Sequence, residues 1–295
     1  MATAVTTSGA GVDLVKAEPQ HAGELGRIFY EAFKDLSDRH GFPLDFPSAA
    51  VGRQIIGMLL TRPDFYGVTA LLEGQPVGSN FLALSDPVWA VGPITVDCAY
   101  QGRGIGRKLM EEVLAYARRH QVERVRLVQE TFNTQSISLY ASLGFDIKEE
   151  LAFLQATPAP HEDPTVRGLT EADLAAAGEL AVQIYQTSRR HEVAAAVKYG
   201  LSPLLRERDG RMRGYVIPGL FGHGVAETEE DAVALVGEMA RRLPAQTARL
   251  LCPLGNTGFF RALLKAGCRT IKLMTLMALG PYERPQGVWM PSVAY

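Results

Sequence analysis

The chain has few cysteines, no long apolar run and no excess of either charge, and each shortage removes a class of protein. Cys98, Cys252 and Cys268 are the only three in 295 residues, and none belongs to a CxxC pair. An odd, scattered set excludes a disulfide framework and offers no zinc site, so the thiols are expected to be reduced. No stretch approaches the roughly 18 uninterrupted apolar residues of a membrane span. The opening "MATAVTTSGAGVDLV" has neither a basic start nor an apolar core, so the expectation is a cytoplasmic protein without a leader. The formal net charge of -2 gives no global field for nucleic acid or an anionic membrane, and neither is expected as a partner. Any bound anion must be gripped locally.

The chain is rich in apolar residues and glycine. Hydrophobic types make up 47% of it, enough for a large core, and the length suits two domains of about 150 residues each. The segment "TPAPHEDP", Thr157 to Pro164, carries three prolines and a charge cluster that interrupt the surrounding periodicity. It sets the predicted organisation: a first domain over 1–156, a linker over 157–164 and a second domain over 165–295.

Before the linker the order reads as mixed α/β. "VDLVKA" alternates like a strand, "QHAGELGRIFYEAF" has helical spacing, and the polar loop Ser37–Ser48 ends in Pro-Ser, which starts the helix "AAVGRQIIGMLL". Strands "YGVTALL" and "VGSNFLALS" form a hairpin through "EGQP". The strand "VWAVGPITV" then leads to a glycine turn and a helix over Gly104–His120. The strand "RVRLVQ", the helix "TQSISLYASLG" and a terminal hairpin through "FDIKEELAFLQ" come next. The second half repeats this plan. At an ungapped offset of 123, Ala117-Arg118-Arg119 aligns with Ala240-Arg241-Arg242, Asn133-Thr134 with Asn256-Thr257 and Gly144 with Gly267. Upstream the offset is 136, pairing Gly74 with Gly210 and Gly78 with Gly214. So long a period implies two copies of one fold and not a solenoid.

"QGRGIGR", Gln101 to Arg107, has the chemistry of a phosphate cradle. A strand that ends in glycines and feeds a helix leaves the first helical N–H groups unpaired at the positive end of the dipole. Glycine removes Cβ atoms and admits positive φ, while Arg103 and Arg107 supply charge. No Gly-Lys-Ser/Thr comes after it, so this is not a Walker loop, and its late position argues against a dinucleotide fingerprint.

Together "ITVDCAYQGRGIGRKLM" and the downstream "NTQSISLYASLGF" resemble the acetyl-CoA-binding motifs of the GNAT superfamily of N-acyltransferases, over about Val12 to Gln155. The resemblance implies an α/β (α+β) fold class: two tandem GNAT-like domains, each a mixed, mostly antiparallel sheet flanked by helices. It also implies acetyl-CoA as cofactor. Its pyrophosphate would sit on the turn of Gln101, Gly102, Arg103, Gly104, Ile105, Gly106 and Arg107. Thr95 and Val96 would lie on a strand that splays from its neighbour and pairs with the pantetheine arm. Cys98 stands where the family commonly has proline, a loss only of turn stiffness. Asn133 and Ser136 would contact the cofactor, Asn133 on the pantetheine arm, and Tyr140 would be the catalytic phenol facing the thioester sulfur. A phenol is suited to protonate a departing thiolate, and strand N–H groups to stabilise the oxyanion.

The base that many relatives carry on the preceding strand is missing from "VWAVGPITV", which leaves Asp97, Glu130 and Asp86, or an ordered water, as candidates. Trp89 and the Ser37–Ser48 loop, with Asp38, His40, Phe42, Asp45 and Phe46, are candidate acceptor-pocket walls. The expected acceptor is a primary amine of a small molecule, handled by a monomer or homodimer; the alternatives are a non-catalytic acyl-CoA-binding regulator and a protein lysine or N-terminal acetyltransferase. The offset of 123 maps Gly102, Gly104 and Gly106 to Val225, Glu227 and Glu229, and Tyr140 to Leu263. The second copy is therefore expected to be degenerate, with carboxylates repelling the cofactor. The apolar tail "RPQGVWMPSVAY" is expected to dock on a domain.

Overall fold

The computed structural model describes residues 11–219 and 222–293. The first ten residues of the predicted first domain and the last two of the apolar tail lie outside the described residues. In chain order the elements are β1 (Val12–Lys16), α1 (Ala22–His40), α2 (Ala49–Thr61), β2 (Phe65–Leu72), β3 (Gln75–Ala83), β4 (Trp89–Val96), α3 (Ile105–Arg119), β5 (Val125–Glu130), α4 (Thr134–Ser142) and β6 (Asp146–Gln155). The second half continues with β7 (Val166–Gly168), α5 (Leu174–Tyr185), α6 (Arg190–Lys198), β8 (Leu204–Arg208), β9 (Arg211–Val216), β10 (Gly224–Ala226), α7 (Glu229–Arg242), β11 (Arg249–Pro253), α8 (Thr257–Lys265), β12 (Arg269–Leu279) and β13 (Val288–Met290).

The chain forms two compact units. One holds the chain up to Ser85, Trp89–Val125 and Gln135–Gly144; the other holds Asp86–Val88, Arg126–Thr134 and Phe145 onward. The predicted linker Thr157–Pro164 lies inside the second unit, so the unit border does not coincide with the repeat border.

In the first unit β1, β2, β3 and β4 form an antiparallel meander. Glu73 and Gly74 join β2 to β3 with φ of 50° and 78°, the two-residue turn whose twist matches the strands it connects. Phe81 joins the core of Leu25, Ile28, Phe29, Ile56 and Leu59 under α1 and α2. Its neighbour Asn80 donates to the Leu109 carbonyl of α3 at 3.4 Å, so α3 covers the other face. α1 runs further than its periodicity suggested: Ser37–His40 are helical and Gly41, at φ 70°, ends the helix. The Ser48 hydroxyl accepts the Val51 N–H at 3.4 Å and caps α2 as expected.

In the second unit β5, β12, β6 and β11 lie side by side, and β13, β10, β9, β8 and β7 form a separate sheet. The expected hairpin in "FDIKEELAFLQ" is instead one continuous strand, β6, antiparallel to both β12 and β11. Beyond Asp146 at its start no residue in it favours a turn, and pairing on both edges satisfies its backbone. Leu151 stands opposite Met274, positions 123 apart. A residue facing its own counterpart marks a local two-fold axis, and its spacing is that of the sequence repeat.

The repeat also explains two buried glycines. Gly78 pairs with Val96 and Gly214 with Ala226, and a Cβ would lie 2.7 Å from the Thr95 carbonyl oxygen in one copy and 2.8 Å from the Val225 oxygen in the other. Val225 is thus the counterpart of Thr95, which corrects the ungapped mapping to Gly102. Eight residues, Asp97–Gly104, connect β4 to α3, but only Glu227 and Thr228 connect β10 to α7. The two copies therefore differ here in the length of the connection and not by a glycine-to-glutamate exchange. Gly78→Ala or Gly214→Ala should each cost on the order of 1–3 kcal/mol, since the clash is with backbone, as measured by urea unfolding; an unchanged midpoint would contradict the packing.

Candidate active site

Val96 ends β4, and Asp97 shapes the turn beyond it. Its Oδ1 accepts the Ala99 N–H at 2.9 Å and its Oδ2 the Arg27 guanidinium at 2.8 Å. Burial raises the Asp97 carboxyl, but the hydrogen bonds from Arg27 and Ala99 prevail and hold it below the usual range. The Gln101 amide donates to the Val96 carbonyl at 3.1 Å and braces the turn. Gly102 and Gly104 then take φ of 75° and 80°. A Cβ on either would meet nothing within 4 Å, so the left-handed backbone, not crowding, selects glycine there. Gly104 caps α3 without a side-chain cap bond, and Gln101–Gly104 are exposed. An exposed helix N-terminus with no side-chain cap and no acidic residue in its first turn has the features of an anion cradle.

The other expected residues of the first unit gather around this turn. Ile105 is buried as the first residue of α3, and α3 packs near Leu139 and Val96, whose side-chain atoms would lie 3.7 and 4.0 Å from a Cβ on Gly106, an ordinary contact. Arg107 donates to the Ser142 hydroxyl at 2.7 Å and ties α3 to α4. Arg103 folds back, donating to the Ala99 carbonyl at 3.3 Å with its guanidinium over Tyr100. On α4, Tyr140 is buried and hydrogen-bonds Ser136, one turn away. Burial pushes its phenol up to about 12, with Ser136 opposing. Tyr140 is therefore protonated at neutral pH. Asn133 lies in the second unit, where its N–H bonds the Glu130 carbonyl at 2.9 Å just past β5.

The candidate bases all have structural duties. Asp97 is bonded as above. Glu130 forms a buried ion pair with Lys272 at 2.8 Å. Asp86 accepts the backbone N–H groups of His191 and Glu192 at 3.2 and 3.1 Å and so caps α6. The acceptor-wall candidates are similarly engaged. Trp89 stacks toward Tyr116 and His120, Phe46 packs on Phe29 and Phe33, Asp38 pairs with Lys34, and His40 bonds the Leu36 carbonyl. Sequence reasoning named Thr95 but missed Thr69 and Ser79, which lie in register with it across β2, β3 and β4. All three are buried, and among the described residues Ser79 Oγ and Thr95 Oγ1 have no partner. Polar residues interrupting apolar strands were the available signal.

A glycine-fed helix start beside a buried, protonated phenol suits transfer of a group carried on a phosphate-bearing molecule. The family comparison gives the same class. Residues 23–145 match the Acetyltransferase (GNAT) family, whose cofactor is acetyl-CoA. It is 47% identical over 104 residues to N-alpha-acetyltransferase RimI of Mycobacterium tuberculosis, across 34% of this chain and 61% of that one. It is 28% identical over 112 residues to mycothiol acetyltransferase of Propionibacterium freudenreichii, across 36% and 33%. The chain thus spans less than two thirds of either relative. Among solved structures, one from Pyrococcus horikoshii overlays with a TM-score of 0.78 at 18% identity, covering 96% of this chain and 94% of its own. A tandem GNAT protein from the clavulanic acid biosynthesis pathway overlays at 0.59 and 14% identity, covering 92% and 100%. Both show the fold.

Lys272→Met should destabilise the protein by about 3–5 kcal/mol, because Glu130 would be left buried without its partner. Lys272→Met with Glu130→Leu should recover most of that loss in urea unfolding. Additive losses would mean the two side chains are not coupled.

Proposed function

We propose that the first repeat is an acetyl-CoA-dependent N-acetyltransferase acting on a primary amine of a small molecule, and that the second repeat, 165–295, lacks a cofactor site. The observation that carries this reading is the open start of α3 behind two left-handed glycines, packed beside the helix that bears Tyr140. The residues of the first unit that would hold the cofactor are Thr95, Val96, Gln101 to Arg107 and Ser136. Bound there, acetyl-CoA supplies an acetyl group activated as a thioester. Tyr140 keeps its hydroxyl proton at neutral pH and donates it to sulfur as the acyl bond breaks. With Asp97, Glu130 and Asp86 engaged elsewhere, the amine enters in its neutral form.

The 47% identity to a protein named an N-alpha-acetyltransferase supports a second acceptor class, the N-terminus of a peptide. Thiol release measured over small amines and short peptides separates the two, and cofactor binding without thiol release from either would leave a non-catalytic acyl-CoA-binding protein. In calorimetry, Gly104→Glu should abolish acetyl-CoA binding that the native protein shows; native silence or unchanged binding overturns the proposal. Tyr140→Phe should lower kcat about a hundredfold while the acetyl-CoA Kd stays within about twofold. Equal turnover removes Tyr140 from the chemistry. The native kcat/KM should rise with pH along the acceptor's own ammonium titration. It should show no basic limb from Tyr140 below about pH 11, given a phenol at about 12.

A further inference from the structure

The second repeat has an occupant of its own. β10 pairs with β9 on one edge and antiparallel with β13 on the other, in the register Gly224 to Met290, Val225 to Trp289 and Ala226 to Val288. Because Gly214 faces Ala226 as Gly78 faces Val96, β10 is the counterpart of the Ile94–Val96 end of β4. The far edge of that strand is where the family places the pantetheine arm. Asn256 supplies an independent bond: its Nδ2 donates to the Gly287 carbonyl at 2.9 Å. Asn256 lies 123 residues after Asn133, the side chain expected on the pantetheine arm of the first repeat. The counterparts of the strand and of the asparagine that serve the cofactor arm therefore both bind the backbone of one tail segment.

Residues 286–290 are fixed as firmly. Val288, Trp289 and Met290 are buried, the Met290 carbonyl accepts from the Tyr185 hydroxyl at 2.8 Å, and the Gln286 N–H bonds the Ile184 carbonyl at 2.7 Å. β13 also packs against β11. A peptide and a pantetheine arm present the same alternation of amide donors and acceptors to a strand edge, so one substitutes for the other without unsatisfied groups.

We propose that residues 287–290 are a resident peptide ligand in the arm slot of the second repeat, closing that slot to any acyl-CoA. This rests on the reading of the first repeat only for what the slot would otherwise hold. Hydrogen exchange on the full chain tests it, with Asn256→Asp as the variant, because an aspartate keeps the acceptor that caps α8 at the Phe259 N–H and loses the donor to Gly287. The amides of 288–290 should exchange as slowly as those of β10. Asn256→Asp should speed them about fivefold, the worth of one hydrogen bond, without changing exchange in β3. Saturating acetyl-CoA should leave tail protection unchanged and bind one equivalent per chain. Fast tail exchange in the native protein, an unaltered rate in the variant, or loss of protection with a second equivalent bound would overturn the proposal. Failure of acetyl-CoA to bind at all would instead count against the catalytic reading, and the exchange rates would still decide the tail.

Discussion

The ladder between β6 and β12 is the constraint on which the second unit depends. β6 leaves the first repeat and lies between β12 and β11, strands of the second. Both its edges are hydrogen-bonded, and Ala152, Phe153 and Leu154 are buried in succession. A strand paired on both edges and covered on both faces has no exposed side to leave polar, which is why its apolar residues run consecutively instead of alternating. The repeat is legible in the sequence as two copies, yet the folded units do not divide at the proline segment. Cutting the chain at that segment would strip β6 of every ladder partner it has in the second unit.

Within that frame the two copies treat one helix start in opposite ways. α7 begins with Thr228 as a bonded cap and Glu229, Glu230 and Asp231 in its first turn, so its positive end is satisfied by its own chain. α3 begins at a left-handed glycine with no cap bond and no acidic residue in its first turn. An uncapped helix start with an exposed approach is stable only if water or an anion takes the free N–H groups. The same fold thus stores an unmet demand for negative charge in one copy and meets it internally in the other.

Much of this is legible in the sequence because it is local. The glycine turn, the Ser48 cap, the hairpin through "EGQP", which tightens to the two residues Glu73-Gly74, and the helix that carries Tyr140 depend on residues close in sequence, and each lies in the segment its spacing indicates. The features that sequence misplaces depend on distant partners. A hairpin in "FDIKEELAFLQ" fails because the partner strands are about a hundred residues away, beyond any periodicity window. The ungapped alignment fails at Gly102 because the repeat shortens between β10 and α7, and a shortening inside a self-alignment leaves no residue to flag it. α1 outruns its apolar pattern because Lys34–Asp38 and Arg39–Asp35 pairs extend a polar last turn until Gly41 can stop it.

The carboxylates obey the same logic. An acidic residue near a site is a candidate base by sequence, but its availability depends on what donates to it. Arg27 reaches Asp97 from α1, Lys272 reaches Glu130 from β12, and the start of α6 takes Asp86. None of these donors is adjacent in sequence to the carboxylate it holds. With those charges committed to structure, the ionisable group expected at the sulfur is a phenol that burial keeps neutral. A neutral acid can give a proton to a leaving thiolate but cannot take one from an ammonium. On the proposed reading, that asymmetry assigns deprotonation of the amine to solvent and reserves the protein's own proton for the departing sulfur.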